Sequence, residues 1–127
     1  MNLISLVGSY AIARFGPETP LPRGLLSGRG FVSVTRTGDE LSVVCEAEAV
    51  RSLSPESAET GWHLIKVEGP LAFSMTGVLA SISAPLAEAG VSIFAVSTFD
   101  TDYLLVRESS LETALDALTG AGFTVLR

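Results

Sequence analysis

Two stretches of this chain leave a helix and enter a strand in the same way. Leu86-Ala87-Glu88-Ala89-Gly90-Val91-Ser92-Ile93 and Leu118-Thr119-Gly120-Ala121-Gly122-Phe123-Thr124-Val125 each carry a helix end, an Ala-Gly stop and then alternating apolar and polar residues. A glycine just past a helix takes the left-handed conformation that closes the last carbonyls. Alternation with period two then buries one face of the following strand. A chain that does this twice is committed to two helix-to-strand passages over one core.

The intervening residues fill in the order. Trp62-His63-Leu64-Ile65-Lys66-Val67 alternates as a half-buried strand, and Glu68-Gly69-Pro70 breaks it. A helix is expected from Thr76 or Gly77 to Ala89, with Val78, Leu79, Ile82 and Leu86 on one stripe. Pro85 lacks the N–H that would reach the Ser81 carbonyl, so a kink is expected there. Strands follow over Val91–Ser97 and Tyr103–Arg107. Ser109 and Glu112 have capping-box spacing for a second helix through Leu111, Leu115 and Leu118, and Phe123–Leu126 is the last strand. The order βαββαβ is that of a ferredoxin-like α+β fold, an antiparallel sheet with helices on one face.

The first half repeats this order with shrunken helices. Tyr10–Phe15 is a strand, and the proline-rich loop after it leaves room for a short helix near Leu21–Ser27. Phe31–Thr35 and Leu41–Cys45 flank Arg36-Thr37-Gly38-Asp39-Glu40 as a hairpin. A short helix over Glu46–Ser54 and a linker over Pro55–Gly61 follow. The division is therefore a truncated repeat at 1–60 and a full one at 61–127.

Composition excludes several classes of function. The net charge is −6, and the eight basic residues are scattered singly, so there is no stripe to neutralise nucleic-acid phosphates. The N-terminus has only a short apolar run with no basic flank, and nothing approaches the ~20 apolar residues of a membrane span. A soluble, cytoplasmic protein is expected. The single cysteine, Cys45, cannot form an internal disulfide and reads as a small buried hydrophobe. One histidine, His63, and no spaced ligands leave no metal site. Paired catalytic acids, Gly-x-Ser-x-Gly and glycine-rich phosphate loops are all missing, so neither catalysis nor a cofactor is expected.

The stretch from Phe73 to Asp102 carries the binding chemistry. The amides at the start of its helix have no intrahelical partner and favour an anion such as an α-carboxylate. Ser74 or Thr76 can cap that end, and Gly77 lets a ligand approach the backbone. The alternative is a plain helix cap. Asp100 and Asp102 are two residues apart and can receive an ammonium or guanidinium on one side of an extended segment. The alternative is a hairpin turn in which each aspartate bonds its own backbone. Phe99 is by default a core residue, otherwise a wall of the pocket.

These residues also carry a resemblance. Glu68-Gly69-Pro70-Leu71, Phe73 to Leu79, Pro85-Leu86-Ala87, and Ile93 to Asp102 followed by Tyr103-Leu104-Leu105-Val106 resemble the ACT domain. The chain is similar to small bacterial tandem-ACT proteins and to the ACT repeats of the CASTOR arginine sensors, over about Trp62–Leu126 and more weakly over Tyr10–Cys45. The resemblance implies a regulatory protein holding a free amino acid or similar zwitterion between ACT repeats. The candidate ligand residues are Met75, Thr76, Gly77 and Val78 on one side and Thr98, Phe99, Asp100 and Asp102 on the other. Asp102, at the matching motif position, is preferred over Asp100. The pocket is completed within one chain or across a homodimer. The alternative function is a structural ACT-like module that pairs with itself or with a protein partner without a ligand.

Overall fold

Strand β1 starts at Asn2, well before the Tyr10–Phe15 strand expected from sequence, and runs to Phe15. The computed structural model describes residues 1–28, 30–72 and 76–127. After β1 come β2 (Ser33–Arg36), β3 (Leu41–Glu46), the single-turn helix α1 (Ala47–Val50) and β4 (Ser57–Val67). Helix α2 (Val78–Glu88), β5 (Ile93–Ser97), β6 (Asp102–Arg107), α3 (Leu111–Gly120) and β7 (Thr124–Leu126) complete the order. The residues divide into two compact units, a larger one of Met1–Val7 with His63–Arg127 and a smaller one of Gly8–Trp62. Residues 1–7 thus group with the second half, where the sequence reading puts them with the first.

In the larger unit the βαββαβ order is present, with an added strand. The sheet runs β5-β6-β4-β1, with β7 on the far side of β1. Strands β5 and β6 pair antiparallel from Ile93 opposite Val106 to Ser97 opposite Asp102. The start of β1 lies between β4 and β7, with the Glu68 amide donating to the Asn2 carbonyl at 3.0 Å. Asn2–Ile4 pairs in parallel with Thr124–Leu126. Leu3, Ile65, Val67, Leu104 and Val106 from the sheet meet Ile82, Leu86, Ala114, Leu115 and Leu118 from α2 and α3 in one core. Each fully buried aliphatic side chain there contributes about 1.5–3 kcal/mol of transfer free energy.

The repeated Ala-Gly grammar forms as expected. After α2, the amide of Gly90 (φ +75°) bonds the Ala87 carbonyl and that of Val91 bonds Leu86, at 3.0 and 2.9 Å. After α3, Gly122 (φ +100°) bonds Thr119 and Phe123 bonds Leu118, both at 3.1 Å. Helix α2 continues through Pro85, and the carbonyl that Pro85 cannot reach belongs to Ser81, an exposed residue that water can serve. The Ser109–Glu112 capping box does not form. A 3-10 turn over Glu108–Ser110 delays α3 until Leu111, its N-cap Ser110 makes no side-chain cap bond, and Glu112 pairs with Arg127 at 3.2 Å.

The smaller unit has the order β2-β3-β1-β4. The β2–β3 hairpin closes with the Thr37 amide on the Glu40 carbonyl at 2.9 Å, as the sequence implies. Residues 22–27 form turns, with Leu25 bonded to Pro22 and Ser27 to Gly24, so the helix expected near Leu21–Ser27 is missing. Gly24 (φ +80°) lies in that segment, and a left-handed residue cannot sit inside a helix. The expected linker is also corrected. Ser57–Gly61 is the first part of β4, and the Glu56 amide just before it donates to the Arg14 carbonyl of β1 at 2.9 Å. Ala11, Ala13, Phe15, Leu41, Val43, Cys45 and Val50 form this unit's core.

Candidate functional site

The start of α2 and the β5–β6 turn share a cavity of about 330 Å³ in the larger unit. Val78, the first residue of α2, lines it from one side, and Thr98, Phe99, Asp100 and Asp102 line it from the turn. Thr76 and Gly77 precede Val78, are exposed, and are not among the lining residues. Met75, like Phe73 and Ser74, lies outside the described residues.

Among the described residues no side chain caps α2. Its N-cap is Gly77 at φ +75°, and neither its own missing side chain nor Thr76 bonds the first-turn amides. A Cβ built on Gly77 would meet nothing within 4 Å, so the helix start faces open space. Uncapped amides at the positive end of the helix dipole are donors for an anion.

The turn is held by threonines, which leaves its aspartates available. The Thr98 amide donates to the Thr101 carbonyl at 2.8 Å, and the Thr101 amide returns to Thr98 Oγ1 at 3.3 Å. Thr101 is buried, and its Oγ1 donates to the Val67 carbonyl at 2.6 Å, tying the turn to β4. The Asp100 carbonyl accepts from the Leu71 amide at 2.6 Å. Neither aspartate side chain bonds the turn backbone, as the Asx-turn alternative would require. Asp102 Oδ1 instead accepts from Ser97 Oγ at 2.6 Å, which fixes the carboxylate's orientation. Asp100 is exposed. Phe99 is not core: it is 79% exposed at the tip of the turn.

The other candidate groups are occupied or inert. His63 Nε2 lies 2.7 Å from Ser5 Oγ. Burial lowers the histidine's pKa; Glu108 opposes this and Arg127 adds to it. The Cys45 thiol is fully buried, and its pKa is pushed up by that burial and by Glu46. Among the described residues no cluster of three metal-ligating side chains occurs, and no helix is long and apolar enough to cross a membrane.

Residues 57–120, about half of the chain, match the family model of the ACT domain. The chain belongs to the ACT-domain family. A second model, described as an N-terminal domain, matches residues 8–52. The cytosolic arginine sensor for mTORC1 subunit 1 of Bos taurus is 33% identical over 97 residues, covering 69% of this chain. That match covers 30% of the sensor, so the chain matches less than a third of that relative's length. A crystal structure of a protein from Agrobacterium tumefaciens is 44% identical, with a TM-score of 0.87 over 98% of this chain and 91% of that one. The regulatory subunit of aspartate kinase from Thermus thermophilus, 14% identical, shares the fold with a TM-score of 0.67 over 94% and 96% of the two chains.

The ACT cavity also includes residues that sequence reasoning missed. Leu71 and Ala72 line it before the helix, and Ser97 and Thr101 line it from the hairpin. Ser97 could have been found from strand register, since it faces Asp102 once the turn is centred on Phe99 and Asp100. Thr101 carried no such signal, because its role depends on burial against β4.

Proposed function

We propose that this ACT protein is a regulatory sensor that binds a free amino acid in the cavity between the start of α2 and the Thr98–Asp102 turn. The observation that carries this reading is the orientation of Asp102 by Ser97 on the wall of the cavity that Val78 also lines. The ligand's α-carboxylate would take the uncapped amides at Val78 and beyond. Its ammonium, or a cationic side chain, would take Asp102 and secondarily Asp100 through charge-assisted bonds. Thr76 and Gly77 would border the carboxylate end, and Phe99 would form a wall completed by a second copy of the chain. Binding without chemistry fits a site whose described lining residues include no histidine, cysteine or lysine. The name of the cytosolic arginine sensor supports a cytoplasmic setting and makes arginine the first ligand to try.

Calorimetry on ligand-stripped protein with each of the twenty amino acids tests this. One or a few should bind at millimolar concentration or better, and Asp102→Asn should weaken that binding by about tenfold or more. Unchanged binding in Asp102→Asn would remove the pocket as drawn. A second reading has a specific observation in its favour: β5 ends the sheet order of the larger unit and can add a strand from a partner. A dimer that forms equally with and without every amino acid would favour that structural role.

A further inference from the structure

A second cavity, of about 440 Å³, lies in the smaller unit and shares no residue with the site above. Leu25, Phe31, Val32 and Leu53 supply apolar walls, and Arg23 and Glu46 line it as well. Tyr10 packs edge-on against Phe31, with ring centroids 6.4 Å apart, which fixes the aromatic wall. The volume is in the range of small-ligand pockets, roughly 300–1,000 Å³.

Two of the charges in this cavity have no bonded partner among the described residues. Glu48, which also lines it, pairs with Arg51 at 3.1 Å. Glu46 and Arg23 make no hydrogen bond or ion pair with any described residue. The Glu46 carboxyl rests against the backbone of Gly30, where any Cβ would collide with it, so glycine at that position is what lets the carboxylate occupy this place. Its charge is felt inside the unit, since it reinforces burial in raising the pKa of both Tyr10 and Cys45. A carboxylate and a guanidinium with no bonded partner among the described residues, and an apolar wall on the same cavity, are the three features that a zwitterion with an apolar side chain would meet.

We propose that the smaller unit holds a second ligand site, for an α-amino acid or similar zwitterion with an apolar side chain. Its ammonium lies on Glu46, its carboxylate on the Arg23 guanidinium, and its side chain against Leu25, Val32 and Leu53. This site is independent of the reading of the larger unit and differs from it in selectivity, because it sets a guanidinium and an apolar wall beside its carboxylate.

The test is amide NMR of the full isotope-labelled chain titrated with L-leucine and with its two half-molecules, isoamylamine and 4-methylpentanoate. L-leucine should shift the Leu25, Gly30 and Glu46 amides and bind about tenfold more tightly than either half-molecule. Glu46→Gln and Arg23→Gln should each weaken it by about tenfold; both side chains are exposed, so the fold should survive either change. Asp102→Asn should leave these shifts untouched, which separates this site from the one in the larger unit. Absence of shifts at Leu25, Gly30 and Glu46 up to about 10 mM, well above a millimolar Kd, would overturn the proposal. So would isoamylamine binding as tightly as L-leucine, or an affinity unchanged in Glu46→Gln.

Discussion

Ser97 and Asp102 face each other across the last rung of the β5–β6 hairpin, and the serine hydroxyl holds one carboxylate oxygen at 2.6 Å. The pair places the acidic group on the cavity wall with a defined orientation, and the proposed ligand would meet its second oxygen. Ser97→Ala keeps the strand and releases the carboxylate. Ligand affinity in the larger unit should fall about fivefold, the equivalent of ~1 kcal/mol for one such bond, with little change in melting temperature. Calorimetry beside a thermal melt checks both halves of this expectation.

Thr101 should matter more for stability than for binding. Thr101→Val keeps the shape but strands the Val67 carbonyl, which now accepts the threonine hydroxyl at 2.6 Å inside the unit. A loss of about 1–3 kcal/mol is expected in urea unfolding, the cost of a buried acceptor left without its donor.

His63 gives the larger unit a pH dependence of known sign. Its pKa in the folded protein is depressed, chiefly by burial, with Glu108 opposing and Arg127 reinforcing. The unfolded chain therefore takes up the proton first. The stability contribution is full above the ordinary value near 6.5 and is lost as pH falls from there through the folded pKa. Urea unfolding from about pH 8 to pH 5 should show this loss, and it should flatten in His63→Gln, which does not titrate in that window.

Leu3 should behave as a core residue of the unit formed mainly by the second half of the chain. It is 0% exposed and packs in the core that Ile82, Leu86 and Leu118 also form. Leu3→Ala should cost about 2–5 kcal/mol, comparable to Leu86→Ala. A fragment of residues 57–127 lacks the strand between β4 and β7 and should not give a cooperative melt. Circular dichroism on the fragment, alone and with a synthetic peptide of residues 1–8, checks this.

Legibility in the sequence followed the range of the interactions. The Ala-Gly helix stops, the β2–β3 hairpin and the βαββαβ order rest on contacts a few residues apart, and they form as expected. Ser57-Ala58-Glu59-Thr60-Gly61 looks like a linker because its side chains are polar, and four of the five stay exposed in the strand. Partners remote in sequence, not local propensity, make it a strand. Asn2–Ile4 was hidden for the same reason, since its neighbours are β4 and β7. At the site, the pairing of a helix start with an acidic turn was visible in the residues. The transfer of the turn's hydrogen bonds from Asp to Thr98 was not, because either side chain can close such a turn.

The parallel pairing of Asn2–Ile4 with Thr124–Leu126 joins segments about 120 residues apart, a closure whose entropic cost rises only slowly with loop length but must be met before the contact forms. During synthesis the opening strand waits, one neighbour short, until residues 124–126 have left the ribosome. High contact order of this kind slows folding by orders of magnitude relative to local topologies. Assembly of the larger unit is therefore set by the arrival of its last strand, and an exposed, half-paired β1 is the species a chaperone would meet.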